Sequence, residues 1–393
     1  MNILFLDIYG GGFMPGGTEV YLKNLLKELN KIHSQRNFFV ATFNKINNVY
    51  DPYVNRVEDS FFSRFLEDYK ILKIQLSNSI FAAFSFILGI ICLYKTARSI
   101  IKNNKIDLVY SNGGHLTAIV AYLLNKKYHQ PYILHFHGTF GFSRQNFFSQ
   151  GLTLRILKKA CSIIANSKDC ADDIEKINNF NRQCDIVKCF VDAKIFRPLD
   201  KNACRKQLKL NPDDFIVVST NRFEHDKKVD LIAKTIFTLP YSKVKLILIG
   251  DGPLSNYLHQ LAEKDKRIVC LPPMDNELLP VYLNAADIVW GSCSVYYLTL
   301  TIIEALACAV PIMASIIPSP LDAHLGNKVD PATLPDEIGF LLKENKKYLT
   351  RFFSHLIKNK RMLEKKKVSC LKFYQKEYGR SNIVNVMKII YNS

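Results

Sequence analysis

The chain has 393 residues, a length that fits two domains of just under 200 residues each. Apolar residues make up 48% and charged residues 22%, which excludes wholesale disorder, collagen-like repeats and a chain that is coiled coil throughout. The charge is unusual, because 53 Lys and Arg against 35 Asp and Glu leave a net +18. A surplus of this size predicts an anionic partner such as nucleic acid, a phosphorylated ligand or an acidic membrane surface.

Strand-like and helix-like segments alternate through the first half of the chain. Residues 3–7 form a first strand candidate that leads into a glycine-rich loop, and apolar residues then recur at helical spacing. Further strand candidates lie at 38–43, 106–110, 132–136, 162–165 and 185–187. Residues 80–94 are almost wholly apolar but too short to span a bilayer, so we predict a buried or amphipathic helix, with a membrane-seated helix as the alternative.

The second half is more regular. Strand candidates begin near Ile216, Val244, Ile268, Asp287 and Pro311, at intervals of 28, 24, 19 and 24 residues. Each interval accommodates one strand, one helix and two short loops, which predicts a parallel sheet covered by helices. The sequence therefore predicts two doubly wound α/β domains in tandem, with a ligand groove between them at the carboxyl ends of the strands.

Half of the surplus charge lies in one C-terminal stretch. Residues 343–372 contain eleven Lys and Arg but only two acids, a net +9. Leu349, Phe352, Phe353 and Leu356 recur at helical spacing, which predicts a helix rather than a disordered tail. The basic residues form either a solvated helical face or a contact surface for anionic lipid or an acidic polymer.

The ten cysteines contain no C-x-x-C pair, which is typical of small buried hydrophobes in a reducing cytosol and predicts no zinc site. No basic region precedes the first apolar run, so we predict no signal peptide.

The glycine loop after the first strand is the first candidate for ligand chemistry. Glycines that directly follow a strand let backbone N–H groups approach a phosphate. Pro15 stands where a dinucleotide fingerprint would need its third glycine, so a nicotinamide or flavin site is not expected. Gly16 and Gly17, which open the next helix, are the better candidates, while Gly10–Gly12 also fit a plain flexible turn.

Two histidines end the strand predicted at 132–136. His135 and His137 are two residues apart, so their side chains point to one face of the sheet. A histidine at a strand end is more often structural than catalytic. His137 lies at a strand end in the sheet that lines the predicted groove, so it is the candidate for a functional histidine.

Two cations follow the strand that begins near Ile216. Arg222 and Lys227 lie in the loop at its carboxyl end, where preplaced positive charge neutralises a diphosphate leaving group. The alternative is a surface cluster in which Glu224 and Asp226 pair with the cations.

An acid is predicted in the first turn of the helix that follows the strand near Asp287. Glu304 would ordinarily complement the helix dipole. It is also placed to accept hydrogen bonds from ribose hydroxyls while neighbouring N–H groups face a phosphate.

Taken in order, these motifs resemble those of the family-4 retaining glycosyltransferases of the GT-B fold. Gly16-Gly17-Thr18-Glu19 resembles the family's G-G-x-E, and His137-Gly138 resembles its strand-end His-Asp/Gly. Phe190-Val191-Asp192 together with Phe196-Arg197-Pro198 resembles N-G-V-D…F-x-P at the domain junction. Residues 221–230 resemble G-R-L-x-x-x-K-G-V-D, residues 250–253 match G-x-G-P, and residues 304–311 match E-A-x-A-x-G-x-P.

The chain departs from the family pattern at four positions. Tyr296 stands where the family has the first Glu of its E-x7-E pair, which usually contacts the donor sugar. Asn221, Lys228 and Ala309 stand where glycine is usual.

The resemblance implies two Rossmann-like domains, each with a doubly wound parallel sheet, that face each other across a cleft. Residues 1–197 would form an N-terminal acceptor-side domain and residues 198–375 a domain that binds the nucleotide sugar. Residues 376–393 would form a C-terminal helix that packs back on the first domain.

The resemblance also implies transfer of a hexose, with retention of configuration, from a nucleotide diphosphate sugar to a lipid-linked or glycan acceptor. On this reading Arg222 and Lys227 hold the diphosphate, Glu304 holds the ribose, and His137 orients the transferred sugar. The remaining donor-binding candidates are Gly16, Gly17, Tyr296, Leu300 and Thr301. No cofactor and no metal are expected, since no D-x-D triplet occurs and the paired cations would do the equivalent work.

Three alternatives remain at this stage. The same fold could host a sugar-nucleotide epimerase or a phosphorylase, or the chain could be a binding subunit that has lost catalysis. A nucleic-acid binder ranks last, because no recognised nucleic-acid motif occurs. We expect a cytoplasmic protein, peripheral on the inner face of the cell membrane, where an anionic surface meets the basic C-terminal region.

Overall fold

The computed structural model describes residues 1–7, 17–32, 38–42, 56–59, 79–138, 147–177, 179–293, 298–316, 334–342 and 345–393. They form two compact units, Met1–Cys189 together with Ser381–Ser393, and Phe190–Arg380. The divisions fall at 189/190 and 380/381, where the sequence predicted 197/198 and 375/376. Each unit contains one parallel sheet with helices, the class that the alternating pattern predicts.

The strands of the first unit are β1 Ile3–Asp7, β2 Phe38–Thr42, β3 Arg56–Asp59, β4 Leu108–Gly113, β5 Tyr132–Phe136, β6 Ser162–Ala165 and β7 Asp185–Ile186. Its helices up to that point are α1 Gly17–Ile32, α2 Ser79–Asn103, α3 His115–Tyr128, α4 Phe147–Lys159 and α5 Lys168–Glu175. The strand order is β3-β2-β1-β4-β5-β6-β7, and every neighbouring pair is parallel.

The strands of the second unit are β8 Phe215–Ser219, β9 Val244–Ile249, β10 Ile268–Leu271, β11 Ile288–Cys293, β12 Ile312–Ile316 and β13 Gly339–Leu341. Its helices are α6 Lys201–Gln207, α7 Val229–Thr238, α8 Ser255–Lys264, α9 Leu279–Ala285, α10 Leu300–Ala307, α11 Lys346–Lys358 and α12 Arg361–Glu377. The strand order is β10-β9-β8-β11-β12-β13, again all parallel. The last helix, α13 Arg380–Asn392, lies almost wholly in the segment that joins the first unit.

The central strands are apolar along their whole length because helices cover both faces of a parallel sheet. All five residues of β1, of β2 and of β5 are buried. Two edge strands, β3 and β13, were not predicted: they have four and three residues, and charged residues or glycine replace the apolar run. Edge strands bury less surface, so their sequences carry a weaker signal.

Each sheet has one position where the strand order reverses. In the first sheet the chain returns to the other side of β1 to form β4, and in the second it returns to the other side of β8 to form β11. Loops leave these paired strands in opposite directions, which opens a crevice at their carboxyl ends. The crevices at β1/β4 and β8/β11 are therefore where ligand-binding residues are sought.

The apolar segment at 80–94 lies in α2. Its later part packs into the core of the first unit through Cys92 and Leu93, followed by Ala97 and Ile100. The prediction of a helix packed on the domain is thus confirmed for this part, although Ile87 is 56% exposed. In the described part of the chain no helix is long and apolar enough to cross a membrane.

The amino end of the second sheet is closed by a buried ion pair. Arg205 of α6 donates to Asp287 at 2.8 Å and to the main-chain oxygens of Ala285 and Pro212. The same carboxylate accepts the Ile216 N–H at 2.7 Å and pairs with Lys201 Nζ at 2.6 Å. Asp287 therefore joins α6 to the first residues of β8, and both charges are satisfied where they are buried.

Candidate functional site

The loop that follows β8 is anchored to the neighbouring strand β11. Asn221 is buried and donates from Nδ2 to Ser219 Oγ at 2.9 Å and to the Trp290 carbonyl at 3.2 Å. The Trp290 indole donates in turn to the Lys227 carbonyl at 3.3 Å. One residue of β11 thus contacts both ends of the loop that carries the predicted cations, which places this loop at the β8/β11 crevice.

The predicted cations of this loop are both paired with acids of the same loop. The Arg222 guanidinium lies 3.1 Å from the Glu224 carboxylate, and Lys227 Nζ lies 2.8 Å from that of Asp226. The Arg222 side chain is 58% exposed, whereas that of Lys227 is only 17% exposed. Partly exposed pairs of this kind contribute little to stability. Both cations therefore remain available to an anionic ligand that outcompetes a neighbouring carboxylate.

A second loop supports the first from behind. The Phe223 N–H donates to the Asp251 carbonyl at 2.8 Å, and the Phe223 carbonyl accepts from the Leu254 N–H at 2.9 Å. A Cβ on Gly250 would lie 2.5 Å from the Asn221 carbonyl oxygen. The glycine is thus required by close backbone approach, and the G-x-G-P segment serves to position the loop of Arg222 and Lys227.

Two of the departures from glycine keep the backbone conformation that favours glycine. Lys228 has φ +54° and Ala309 has φ +57°, both in the left-handed region. A residue with a Cβ pays about 1 kcal/mol or more to hold this conformation. The loop geometry after Lys227 is therefore retained although the residue has changed.

Helix α10 starts close to β11. A Cβ on Gly291 would lie 2.4 Å from Ile302, so glycine lets the helix approach the strand. The hydroxyl of Thr299 at the N-cap donates to the Ser292 carbonyl at 2.6 Å and does not cap the helix. No described residue accepts a hydrogen bond from the N–H groups of Leu300 or Thr301. These two donors and the positive end of the helix dipole favour an anion.

Glu304 is 5% exposed on α10. Burial raises the pKa of its carboxyl to about 8, so the group is largely neutral near pH 7 when no ligand is bound. Hydroxyl groups that donate to the carboxylate would stabilise its charged form. Glu304 is the fifth residue of α10, so it lies in the second turn of the helix and not in the first turn, where the sequence predicts it.

In the first unit, His137 follows β5 and contacts the end of β4. Its Nε2 lies 2.8 Å from Asn112 Oδ1. Asn112 Nδ2 donates to Asp7 Oδ1 at 2.8 Å and to the Thr18 carbonyl at 3.2 Å. Asp7 and Asn112 are paired residues at the carboxyl ends of β1 and β4, so this network occupies the crevice of the first sheet.

Aromatic rings surround the histidine. His137 stacks on His135 at 4.1 Å between ring centroids, and the Tyr21 ring meets both imidazoles edge-on. Tyr110 Oη lies 2.7 Å from His135 Nδ1. Burial lowers the pKa of His137 to about 3 and that of His135 well below its usual value, and the neighbouring His137 lowers the latter further. Both rings are therefore neutral at physiological pH.

The structure thus brings the predicted residues to two crevices. Arg222, Lys227, Leu300, Thr301 and Glu304 belong to the second unit, and His137 belongs to the first. Gly17 is the first residue of α1, while Gly16 and Tyr296 lie outside the described residues. Sequence analysis missed Asp7, Asn112 and Tyr21. Asp7 could have been recognised from the sequence, because it is a polar residue at the carboxyl end of a predicted apolar strand.

Two family models match the chain and together span most of it. The model for Glycosyltransferase Family 4 matches residues 15–194, and the model for Glycosyl transferases group 1 matches residues 200–368. The two matches meet within a few residues of the division between the units.

Individual relatives agree with the family models. The D-inositol 3-phosphate glycosyltransferase of Mycobacteroides abscessus is 32% identical over 172 residues, 42% of this chain and 38% of that protein. The enzyme of the same description from Mycobacterium marinum is 28% identical over 173 residues, 42% of this chain and 36% of that protein. The matched segment thus spans less than two fifths of these curated relatives.

Solved structures match the whole chain in fold. Sucrose-phosphate synthase from Thermosynechococcus elongatus superimposes with a TM-score of 0.75 at 17% identity, covering all of this chain and 98% of that one. Anabaena HepE in complex with UDP and glucose gives a TM-score of 0.71 at 16% identity, covering all of this chain and 99% of that one.

Proposed function

Because the chain belongs to the family-4-like glycosyltransferases of the GT-B fold, we propose that it transfers a hexose from a nucleotide diphosphate sugar with retention of anomeric configuration. The observation that carries the proposal is the β8/β11 crevice. At this crevice the loop that carries Arg222 and Lys227 is anchored to β11. Helix α10, which carries the buried Glu304, begins close to the same strand.

The second unit is proposed to bind the nucleotide diphosphate. Arg222 and Lys227 exchange their carboxylate partners for the diphosphate, and the N–H groups of Leu300 and Thr301 add donors to it. Glu304 accepts hydrogen bonds from the ribose. The cations stabilise the negative charge that develops on the leaving group, so no metal is required on this proposal.

The first unit is proposed to orient the transferred sugar and to receive the acceptor. On this proposal His137 contacts the transferred sugar. HepE from Anabaena was solved with UDP-glucose as well as with UDP and glucose, which makes UDP-glucose the first donor to test. A lipid-linked or glycan acceptor is proposed.

A donor panel tests the proposal directly. Saturation with the correct nucleotide sugar, at about 100 times its Kd, stabilises the folded state by about 2.7 kcal/mol, so the melting temperature should rise by about 5 °C or more. Transfer to an acceptor would then be followed with labelled donor. A nucleotide sugar that is epimerised without transfer would indicate an epimerase, and donor binding without turnover a binding subunit.

We also propose that the basic C-terminal helices contact an anionic membrane surface. Helix α12 turns Leu363, Cys370 and Tyr374 inward and exposes a row of basic residues on the opposite side. That row consists of Arg361, Lys365, Lys372 and Lys376, with the apolar Val368 in its middle. Lys366 instead donates to the Asp336 carbonyl, and Lys367 pairs with Glu364 at 2.8 Å.

Binding to vesicles of a neutral lipid mixed with phosphatidylserine or phosphatidylglycerol should weaken by about 150-fold when Lys365, Lys372 and Lys376 are all replaced by glutamine. Each basic residue near such a surface contributes about 1 kcal/mol. The matched control replaces three exposed lysines of the first unit, Lys126, Lys127 and Lys158, and should change binding far less. Co-sedimentation measures both, and equal effects in the two variants would contradict the membrane proposal.

A further inference from the structure

The orientation of the Asn112 amide is dictated by its neighbours. Nδ2 lies 3.2 Å from the Thr18 carbonyl and 2.8 Å from Asp7 Oδ1. A carbonyl oxygen can only accept, so the amide group that faces Thr18 must be the NH2 group. Turning the amide over would place its oxygen against two other oxygens. Asn112 therefore donates to both groups, and its own oxygen faces His137.

The amide orientation decides the tautomer of the histidine. Asn112 Oδ1 lies 2.8 Å from His137 Nε2 and can only accept, so Nε2 must carry the hydrogen. The ring is neutral, since it is surrounded by Tyr21 and His135 and burial lowers its pKa. A neutral ring with hydrogen on Nε2 presents a lone pair on Nδ1.

The remaining ring nitrogen of His137 is Nδ1. No described residue hydrogen-bonds His137 Nδ1, and His137 is partly exposed, whereas His135 beside it is 1% exposed. Asp7 and Asn112 are both 0% exposed and do not face solvent. The network therefore runs from the buried ends of β1 and β4 to one ring whose Nδ1 is an acceptor without a partner among the described residues.

We propose that Asp7 and Asn112 are positioning residues, which hold His137 as the Nε2–H tautomer so that Nδ1 accepts a hydrogen bond from a hydroxyl group of the sugar. The inference deepens the proposed function and rests on it for the identity of the ligand. The tautomer itself is a property of the ligand-free protein.

The tautomer is tested by ¹⁵N NMR of histidine-labelled protein without ligand. We expect the His137 resonances, assigned by their loss in His137→Gln, to show hydrogen on Nε2 and none on Nδ1 at neutral pH. Hydrogen on Nδ1, or on both nitrogens, would overturn the inference. This measurement is made on the wild-type protein, so its result does not depend on whether a variant of the buried network folds.

A substitution of Asn112 with a matched control separates positioning from packing. Asn112→Leu removes the acceptor beside Nε2 and should abolish the preference for Nε2–H. Asn104→Leu, which removes a partly exposed amide of the same unit, is the control for general effects. The same tautomer in Asn112→Leu as in the wild type would contradict the role of Asn112.

Binding measurements test the hydroxyl contact. Calorimetry with UDP-glucose and its monodeoxy analogues should show a loss of about three- to tenfold for one analogue with the wild type, the size of one neutral hydrogen bond. That loss should vanish in His137→Gln, whose amide replaces Nε2 but not Nδ1. An undiminished loss in this variant would contradict the contact. Absence of binding by every nucleotide sugar would contradict the proposed function and leave the tautomer result standing.

Discussion

Replacement of Lys227 by alanine is expected to lower the rate of sugar transfer by about 10²-fold or more while the loop keeps its structure. The side chain removed is the less exposed of the two cations, and the bond that anchors its residue comes from Trp290 to the main-chain carbonyl, which alanine retains. A preplaced charge acts most strongly on the charge that develops in the transition state. Arg222→Ala should act in the same direction. Steady-state kinetics with the identified donor measure both variants.

A lysine nearby in sequence is the matched control. Lys234 of α7 pairs with Asp230 at 3.0 Å and is 51% exposed, so Lys234→Ala removes the same charge from the same unit and should leave turnover within about twofold. Asp226→Asn removes the carboxylate that pairs with Lys227, so donor affinity should stay equal or increase. Normal turnover in both Lys227→Ala and Arg222→Ala would refute their roles and favour a surface cluster of ion pairs.

Replacement of Asp287 by alanine is expected to lower the free energy of unfolding by about 3–5 kcal/mol. The substitution leaves the Arg205 guanidinium, 5% exposed, without its countercharge and leaves the Ile216 N–H without its acceptor. For a domain of this size the melting temperature should fall by roughly 6–20 °C. Thermal unfolding followed by circular dichroism measures the change.

A surface ion pair of the same unit provides the control. Asp213 lies 3.4 Å from Lys243, and both side chains are about two thirds exposed, so Asp213→Ala should cost less than about 1 kcal/mol. Lys201→Met and Arg205→Met together with Asp287→Leu remove all three charges and should be less harmful than Asp287→Ala, although the Ile216 N–H stays unpaired. Equal losses for Asp287→Ala and Asp213→Ala would show that the buried ion pairs of Asp287 do not hold the amino end of the sheet.

Local pattern was enough to predict most of the fold. The strand predicted at 132–136 is β5 to the residue, and all five strands predicted in the second half begin within one residue of the predicted position. These strands are buried on both faces, so nearly all their side chains are apolar and the strands are recognisable as continuous apolar runs. Strand β3 is a charged four-residue edge, and β13 has only three residues, so neither shows a pattern of its own.

At the positions where another residue stands in place of the usual glycine, the residue type alone does not predict the backbone conformation. From the sequence alone, Lys228 and Ala309 change the motif; in the structure both adopt the left-handed conformation that favours glycine. Tertiary packing imposes this conformation in spite of its cost. Asn221 differs from these two residues, because its side chain hydrogen-bonds both Ser219 of β8 and Trp290 of β11, which a glycine could not do.

The sequence by itself determined the parallel α/β class, the order of the motifs and the candidate side chains at the strand ends. These depend on periodicity and on residues close together in the chain. Only the tertiary structure decided which groups meet: Asp7 and Asn112 are 105 residues apart, and Arg205 and Asp287 are 82 apart. Hydrogen bonds across such separations form when strands from distant parts of the chain become neighbours in a sheet. For that reason the tautomer of His137 could not be inferred from the sequence of β5.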